Sequence, residues 1–154
     1  MIIRDARSED SETIVHYNAA LAQETEAKAL DLEILRRGVQ ALFQDEAKGR
    51  YFVAEQEGRL IGQLMITLEW SDWRNGWMWW IQSVYVAPDA RRQGVFRGLF
   101  QHVQDLARQR PDVVGIRLYV EKENERAQGT YVSLGMHETE YLLFEQSPID
   151  STSQ

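Results

Sequence analysis

Hydrophobic spacing along this chain switches between two periods, and the switch points mark its elements. Met1–Arg7 reads as a short strand. Ser8-Glu9-Asp10 then offers capping side chains and negative charge ahead of Ile14, Tyr17 and Leu21, which recur at helical spacing to about Glu26. Asp31 can cap a second helix, with Leu32, Leu35, Val39, Leu42 and Phe43 on one face and Lys48-Gly49 as its stop. Tyr51–Glu55 and Leu60–Glu69 are strand-like runs around Glu57-Gly58-Arg59, where glycine supplies the positive φ of a tight hairpin turn. In the second run Leu60, Leu64, Ile66 and Leu68 alternate with Ile61 and Met65, so both faces are apolar. That predicts a strand inside the sheet.

Trp77–Val86 is a further strand, closed by Ala87-Pro88-Asp89 because proline cannot donate to a ladder. Phe96, Leu99, Phe100, Val103, Leu106 and Ala107 follow the 3.6-residue period until Pro111. Val114, Ile116, Leu118 and Val120 alternate as a strand, and Asn124 caps a helix carrying Ala127, Tyr131 and Leu134, which Gly135 ends. His137–Glu145 alternates weakly as a last strand, and Ser147–Gln154 has the composition of a frayed tail. Strands grouped first, then strand–helix–strand–helix–strand, predict one α+β (mixed α/β) domain over residues 1–146 with a flexible tail over 147–154. Parallel pairing is expected around the two later crossovers.

Composition narrows the chemistry. With 154 residues, 44% of them hydrophobic, the chain is long enough for one sizeable core. It has no Cys, which removes disulfides, thiolate nucleophiles and Cys-ligated zinc. A formal net charge of −7 argues against a nucleic-acid partner and favours a cationic or amine-bearing one. The amino terminus, Met1-Ile2-Ile3-Arg4-Asp5, acquires charge at once and no run of 18 apolar residues follows, so neither signal peptide nor membrane association is expected. The expected location is the cytoplasm.

The most informative stretch is Val84-Tyr85-Val86-Ala87-Pro88-Asp89-Ala90-Arg91-Arg92-Gln93-Gly94-Val95-Phe96-Arg97-Gly98: a strand, a basic glycine-bearing turn and a helix start. At a helix amino terminus the first N–H groups lack intrahelical partners and the dipole is positive, so a pyrophosphate can sit there, with Gly94 allowing close approach. Arg91, Arg92 and Arg97 put three full charges within seven positions of an acidic chain. Read without further context, the same segment is equally a solvated basic loop with a helix cap.

Arg91-Arg92-Gln93-Gly94-Val95-Phe96 resembles motif A of the GCN5-related N-acetyltransferases, Arg/Gln-x-x-Gly-x-Gly/Ala after a strand, with Phe96 where the family more often has Gly or Ala. The run from Asn124 to Met136 resembles the family's Asn-x-x-Ala-x-x-x-Tyr-x-x-x-Gly-Phe/Met, and the order of elements to about Glu145 is similar as well. The resemblance implies a mostly antiparallel central sheet with a parallel pair splayed around a CoA cleft, flanked by about four helices. It implies acetyl-CoA as co-substrate, with no metal. Backbone groups of the Val84-Tyr85-Val86 strand would pair with the pantetheine arm, amides from Arg92 to Arg97 would hold the pyrophosphate, and Asn124 would cap its helix and face the pantetheine. Tyr131 would set its hydroxyl near the thioester sulfur, where a phenol of pKa about 10 can protonate a departing thiolate.

Some family members carry a Glu on the central strand about ten residues before the pyrophosphate loop, but here Trp80-Ile81-Gln82 stands there. Glu69, Glu24, Glu26 and His137 remain as candidate bases for an acceptor ammonium. All five tryptophans, Trp70, Trp73, Trp77, Trp79 and Trp80, fall within eleven positions, and their indoles either wall an acceptor pocket or pack and self-associate. Period two sets Trp80 and Gln82 on the strand face of Val84, which makes these two, with Glu24 and Glu69, the expected acceptor-binding residues.

The leading expectation is an N-acetyltransferase in which a small-molecule or peptide primary amine attacks acetyl-CoA directly in a ternary complex. Two alternatives stand beside it: an acyl-CoA-binding sensor or regulatory module without turnover, and a homodimer built on the tryptophan cluster.

Overall fold

The structure is a computed structural model that describes residues 1–149; the end of the expected tail, from Asp150 on, lies outside the described residues. The chain divides into two compact units, Met1–Tyr119 and Val120–Gln154. The first unit holds, in order, β1 (Ile2–Asp5), α1 (Ser11–Glu26), α2 (Leu32–Gln44), β2 (Arg50–Gln56), β3 (Arg59–Ser71), β4 (Gly76–Val86), α3 (Val95–Arg108) and β5 (Val113–Arg117). The second unit contributes α4 (Glu125–Ser133).

The five strands lie in the order β1-β2-β3-β4-β5. The first three pairings are antiparallel and β4–β5 is parallel, joined through α3, so the expected mixed sheet forms with four α-helices among the described residues. Glu57 (φ 52°) and Gly58 (φ 77°) close the β2–β3 hairpin with two left-handed residues, the turn whose twist suits the flanking strands. As its two apolar faces required, β3 is internal. Met65 packs toward Ile14 and Val15 of α1 and Val39 and Leu42 of α2, while Leu64 and Ile66 on the other face are fully buried. On that second face α3 comes so close that a Cβ at Gly62 would lie 2.7 Å from the Val95 side chain, so glycine sets how closely the start of α3 approaches β3.

The helix signals hold at α2 and shift at α1. Asp31 accepts from the amides of Glu33 (2.9 Å) and Ile34 (3.2 Å) and caps α2 as its position predicts. The helix ends at Gln44, ahead of Lys48-Gly49, because Asp45 leaves helical geometry and its carboxylate captures the Ala47 amide in a separate 3₁₀ turn. Ser8–Asp10 also forms a 3₁₀ turn rather than a cap. There Asp10 accepts from the Arg7 amide (2.7 Å) and from Arg4 Nη1 (2.8 Å), while Arg4 Nη2 also reaches Glu55 (2.8 Å), tying β1, β2 and the start of α1 together.

Two expected elements are corrected: β5 stops at Arg117, short of the expected Leu118 and Val120, and the last strand is absent. Residues 137–145 form no strand among the described residues. Tyr141-Leu142-Leu143-Phe144 is an apolar run without alternation, and all four side chains are exposed, so period two gives this segment no single face to bury. The crossover through α4 therefore returns to no strand, and β4–β5 is the one parallel pair among the described residues.

Candidate active site

The site begins where β4 departs from regular pairing. Gln63 lies opposite Tyr85 and Met65 opposite Gln82, so β4 carries two residues, Ser83 and Val84, across from Leu64. This is a β-bulge, with Ser83 at φ 53°. It corrects the expected facing of the strand. Residues opposite one another share a face, so Gln82 and Tyr85 lie on the side of Gln63 and Met65, and alternation from Tyr85 sends Val84 to the other side, away from Trp80 and Gln82.

Over the same stretch the outer edge of β4 pairs with no strand among the described residues. Pairing with β5 ends at Trp80↔Arg117, whereas β4 runs on to Val86. The Ala87 amide bonds the Ile61 carbonyl (2.9 Å), so the alternation of an antiparallel ladder turns the backbone groups of Val86 and Val84 outward. Arg91 Nε donates to the Val86 carbonyl at 3.0 Å.

That edge leads into the start of α3. Gly94 precedes the helix in left-handed geometry (φ 80°) with no capping side chain, and the first helical bond runs from the Gly98 amide to the Gly94 carbonyl (3.0 Å). The amides of Val95, Phe96 and Arg97 therefore gather at the helix end ahead of its first bond, in the geometry that receives an anion. Arg92 (φ 65°) and Gly94 both adopt left-handed backbone in this turn. A Cβ at Gly94 would meet no protein atom within 4 Å, so the open space there belongs to whatever approaches the amides. These residues suit an anionic group.

Arg91 is committed elsewhere. Its Nη2 bonds Glu24 Oε1 (2.7 Å), its guanidinium stands 5.4 Å over the Tyr85 ring, and Tyr85 Oη donates to Glu24 Oε2 (2.6 Å). The Tyr85 and Arg91 hydrogen bonds hold the Glu24 carboxyl below its ordinary range, while burial and that carboxylate push the Tyr85 phenol up to about 12. With both oxygens occupied, Glu24 is a poor proton acceptor. Gln93 is likewise used within the turn, its Nε2 donating to the Asp89 carbonyl (3.1 Å).

On the α1–α2 side of the bulge lies a cavity of about 570 Å³. Its polar end is a chain of hydrogen bonds: Asn18 Nδ2 to Tyr51 Oη (3.0 Å), Gln63 Nε2 to Asn18 Oδ1 (2.8 Å), and Gln63 Nε2 to the Ser83 carbonyl (3.0 Å). Burial pushes the Tyr51 phenol up, so it stays protonated at neutral pH. Asn18, Tyr51 and Ser83 all line this cavity, and sequence reasoning missed them because they lie on three elements joined only by tertiary packing. Glu26, one of the candidate bases, is the one carboxylate among the described residues of its wall.

The four residues expected to bind the acceptor lie outside that wall. Glu24 sits at the Arg91 pair. Glu69 Oε1 accepts from Trp80 Nε1 (3.0 Å) and Arg117 Nη1 (3.3 Å), and the Trp80 ring tilts against Tyr119 at 6.2 Å. Gln82 Nε2 donates to Thr67 Oγ1 (2.7 Å). Glu69 and Trp80 thus meet across β3–β4 as a pair of their own. Trp73 and Trp70, at the tip, are 89% and 50% exposed, so the tryptophans do not share one environment.

In the second unit Asn124 Oδ1 accepts from the Ala127 amide (3.2 Å) and caps α4, as its position predicts. Tyr131 is seven residues on, on the same side of that helix. Burial raises its phenol above the ordinary value, so it carries its proton throughout the neutral range. His137 follows the helix, after Gly135 (φ 97°).

An open strand edge that runs into the amino end of a helix can take an extended ligand that ends in an anionic group. The family model of the acetyltransferase (GNAT) family matches residues 16–136, and the chain belongs to that family. A solved structure described as a possible acetyltransferase from Clostridium difficile 630 is 48% identical, covers 97% of this chain and 98% of its own, and superposes with a TM-score of 0.91. A predicted acetyltransferase with acetyl-CoA from Clostridium acetobutylicum shares the fold at 20% identity (TM-score 0.78, 94% and 95% covered). So does an aminoglycoside antibiotic 6'-N-acetyltransferase from Acinetobacter haemolyticus, at 18% identity (TM-score 0.74, 97% and 100% covered). Among the curated proteins, none matches this chain. By family the protein is an N-acetyltransferase. No helix among the described residues is long and apolar enough to cross a membrane.

Proposed function

We propose that the protein binds acetyl-CoA along β4 and the start of α3 and transfers its acetyl group to the primary amine of a small molecule or peptide. The observation that carries this is the continuity of the outward backbone groups of Val84 and Val86 with the amides ahead of Gly98. An extended pantetheine arm added to the β4 edge would bring its pyrophosphate to the helix end. Arg92 and Arg97 supply charge there, since Arg91 is bonded to Glu24.

The chemistry is direct attack in a ternary complex. The nitrogen lone pair forms a bond to the thioester carbon, the carbon–sulfur bond breaks, and the thiolate leaves with a proton. We assign that proton to Tyr131 from its place in the second motif, and a phenol raised by burial is a donor that does not ionise near pH 7. Removal of the ammonium proton is assigned to Glu26, on the cavity wall, acting through water, in place of the strand carboxylate that Trp80-Ile81-Gln82 does not provide. The domain assignment, 1–146 with a tail beyond, is part of the same reading.

The test is calorimetry of CoA and acetyl-CoA together with thiol release against a panel of amines and alcohols. CoA binding with amine-dependent thiol release is the expected result. Binding without release from any acceptor makes the domain a sensor module, and no binding at low salt removes the reading altogether.

A further inference from the structure

Resting on the reading above, we infer that the acceptor is a primary amine with an apolar alkyl or aryl tail, and that the tail enters the cavity between α1 and α2. The cavity walls are aliphatic: Leu21 from α1, Leu30 from the turn, Ile34, Leu35 and Val39 from α2, and Met65 from β3. Ile34 is 68% exposed and Leu30 37% exposed, so apolar surface continues to the mouth, where water would otherwise cover it. At about 570 Å³ the space is of the size that holds a small organic molecule rather than a water cluster.

The charges decide against a polycation. Although the chain as a whole carries −7, the charged residues lining this cavity are Glu26, Lys28 and Lys48, one acid against two bases. Lys48 is paired with Asp45 (2.9 Å), so a multiply charged amine would have one wall carboxylate to meet for several ammonium groups, with Lys28 to avoid. A single amino group at the polar end, beside Tyr51 and Ser83, stands next to the bulge from which the open β4 edge begins. Nitrogen toward the bulge and carbon toward α2 is the orientation that matches both ends of the cavity.

Gly38 gives the discriminating variant. It lines the cavity in the middle of α2, and a Cβ there meets no atom within 4 Å. The side chain added by Gly38→Leu therefore begins in open space at the cavity wall, where its branches narrow the cavity, and leucine favours the helix over glycine. Titration calorimetry of the full chain with n-alkylamines from propylamine to octylamine, and with spermidine, reads the tail directly. Affinity is expected to rise about fourfold per methylene until the cavity is full, at roughly 0.8 kcal/mol for each buried CH₂, and spermidine is expected to bind more weakly than octylamine. Gly38→Leu should abolish the length dependence with an unchanged or higher Tm. A flat series, or an undiminished length dependence in Gly38→Leu, overturns the inference. Thiol release with the same amines separates it from the reading on which it rests. Alkylamines that bind in the cavity without any amine releasing thiol sink the transferase reading and leave the cavity assignment standing, whereas release by spermidine but not by alkylamines does the reverse.

Discussion

The side-chain amide of Gln63 donates to the carbonyl of Ser83 at 3.0 Å, bridging β3 and β4 at the residue where β4 bulges. Ser83 holds φ 53°, a left-handed backbone that serine adopts only when its surroundings fix it. The same amide nitrogen bonds Asn18 Oδ1 (2.8 Å), so one fully buried group links α1, the bulge and the polar end of the cavity. Gln63→Leu removes the donor from both acceptors. Gln63 Oε1 is itself buried without a hydrogen-bond partner, which offsets part of the loss and puts the expected destabilisation at about 1–2 kcal/mol, the lower part of the usual range. Urea denaturation measures it. A change smaller than about 0.5 kcal/mol would mean that the bulge is held by the β-ladder alone.

Gly94 separates backbone strain from ligand approach. At φ 80° any L-residue is strained, so Gly94→Ala should lower stability by about 1–2 kcal/mol although its Cβ touches no protein atom. Gly94→Val adds branches in the space in front of the helix-end amides. Its CoA affinity should fall at least about tenfold below that of the alanine variant, the equivalent of one lost hydrogen bond to a charged group. Equal affinities for the two variants would place the pyrophosphate elsewhere.

The caps, the hairpin and the internal strand were legible because each is written in a few consecutive residues. Asp31 and Asn124 cap where their side chains reach the next turn, and Glu57-Gly58 turns where glycine tolerates positive φ. The bulge was not legible. Nothing in Gln82-Ser83-Val84 favours left-handed backbone, and the bond that holds it comes from Gln63, twenty residues away along the chain. Strict alternation therefore carried Val84 to the face of Trp80, and the expected acceptor residues with it. The cavity was hidden for the same reason, since Asn18, Tyr51 and Ser83 meet only after α1 has packed on the sheet. In 137–145 the composition suits a strand, but consecutive apolar residues specify no register.

Acid should weaken the Arg4 junction. Burial pushes the Asp10 carboxyl up, but the hydrogen bonds from Arg4 and the Arg7 amide outweigh it and hold its pKa below the ordinary value. A folded-state pKa below the unfolded one contributes stability that is present above about pH 4 and is lost as pH falls through the folded value. Arg4→Met leaves Asp10 with the Arg7 amide and without its Arg4 hydrogen bonds, so stability should drop by about 1–3 kcal/mol at pH 7. The loss of stability on acidification should also be smaller in the variant, because the Arg4 hydrogen bonds that lower the carboxyl's pKa are gone. Denaturation midpoints between pH 3 and 8 for both proteins test it, and parallel profiles would rule out this pair as the source.

The two glutamates at the end of α1 should separate in kinetics. Glu24 is bonded on both oxygens by Tyr85 and Arg91, so Glu24→Gln should alter stability or CoA binding more than the pH profile of turnover. Glu26 lines the cavity, and Glu26→Gln should lower kcat/KM for an amine by about 10²–10⁴-fold at neutral pH, with the loss shrinking as pH rises toward the amine's own pKa. A uniform loss at every pH would make Glu26 a binding residue, and no loss would leave proton removal to water alone.

Tyr131 should act on turnover without acting on cofactor affinity. A thiolate leaves more readily when it receives a proton as the carbon–sulfur bond breaks, and the phenol that burial raises above its usual pKa of 10 still carries that proton at pH 9. Tyr131→Phe keeps the ring and deletes only the hydroxyl, so CoA affinity by calorimetry should change little while kcat falls by about 10²–10⁴-fold. Leaving-group dependence sharpens the test. With an acyl donor whose thiol is more acidic than that of CoA, the departing sulfur needs less help, and the gap between wild type and Tyr131→Phe should narrow. A gap that stays constant across donors, or a kcat equal to that of the wild type where chemistry limits the rate, would assign the proton to another group.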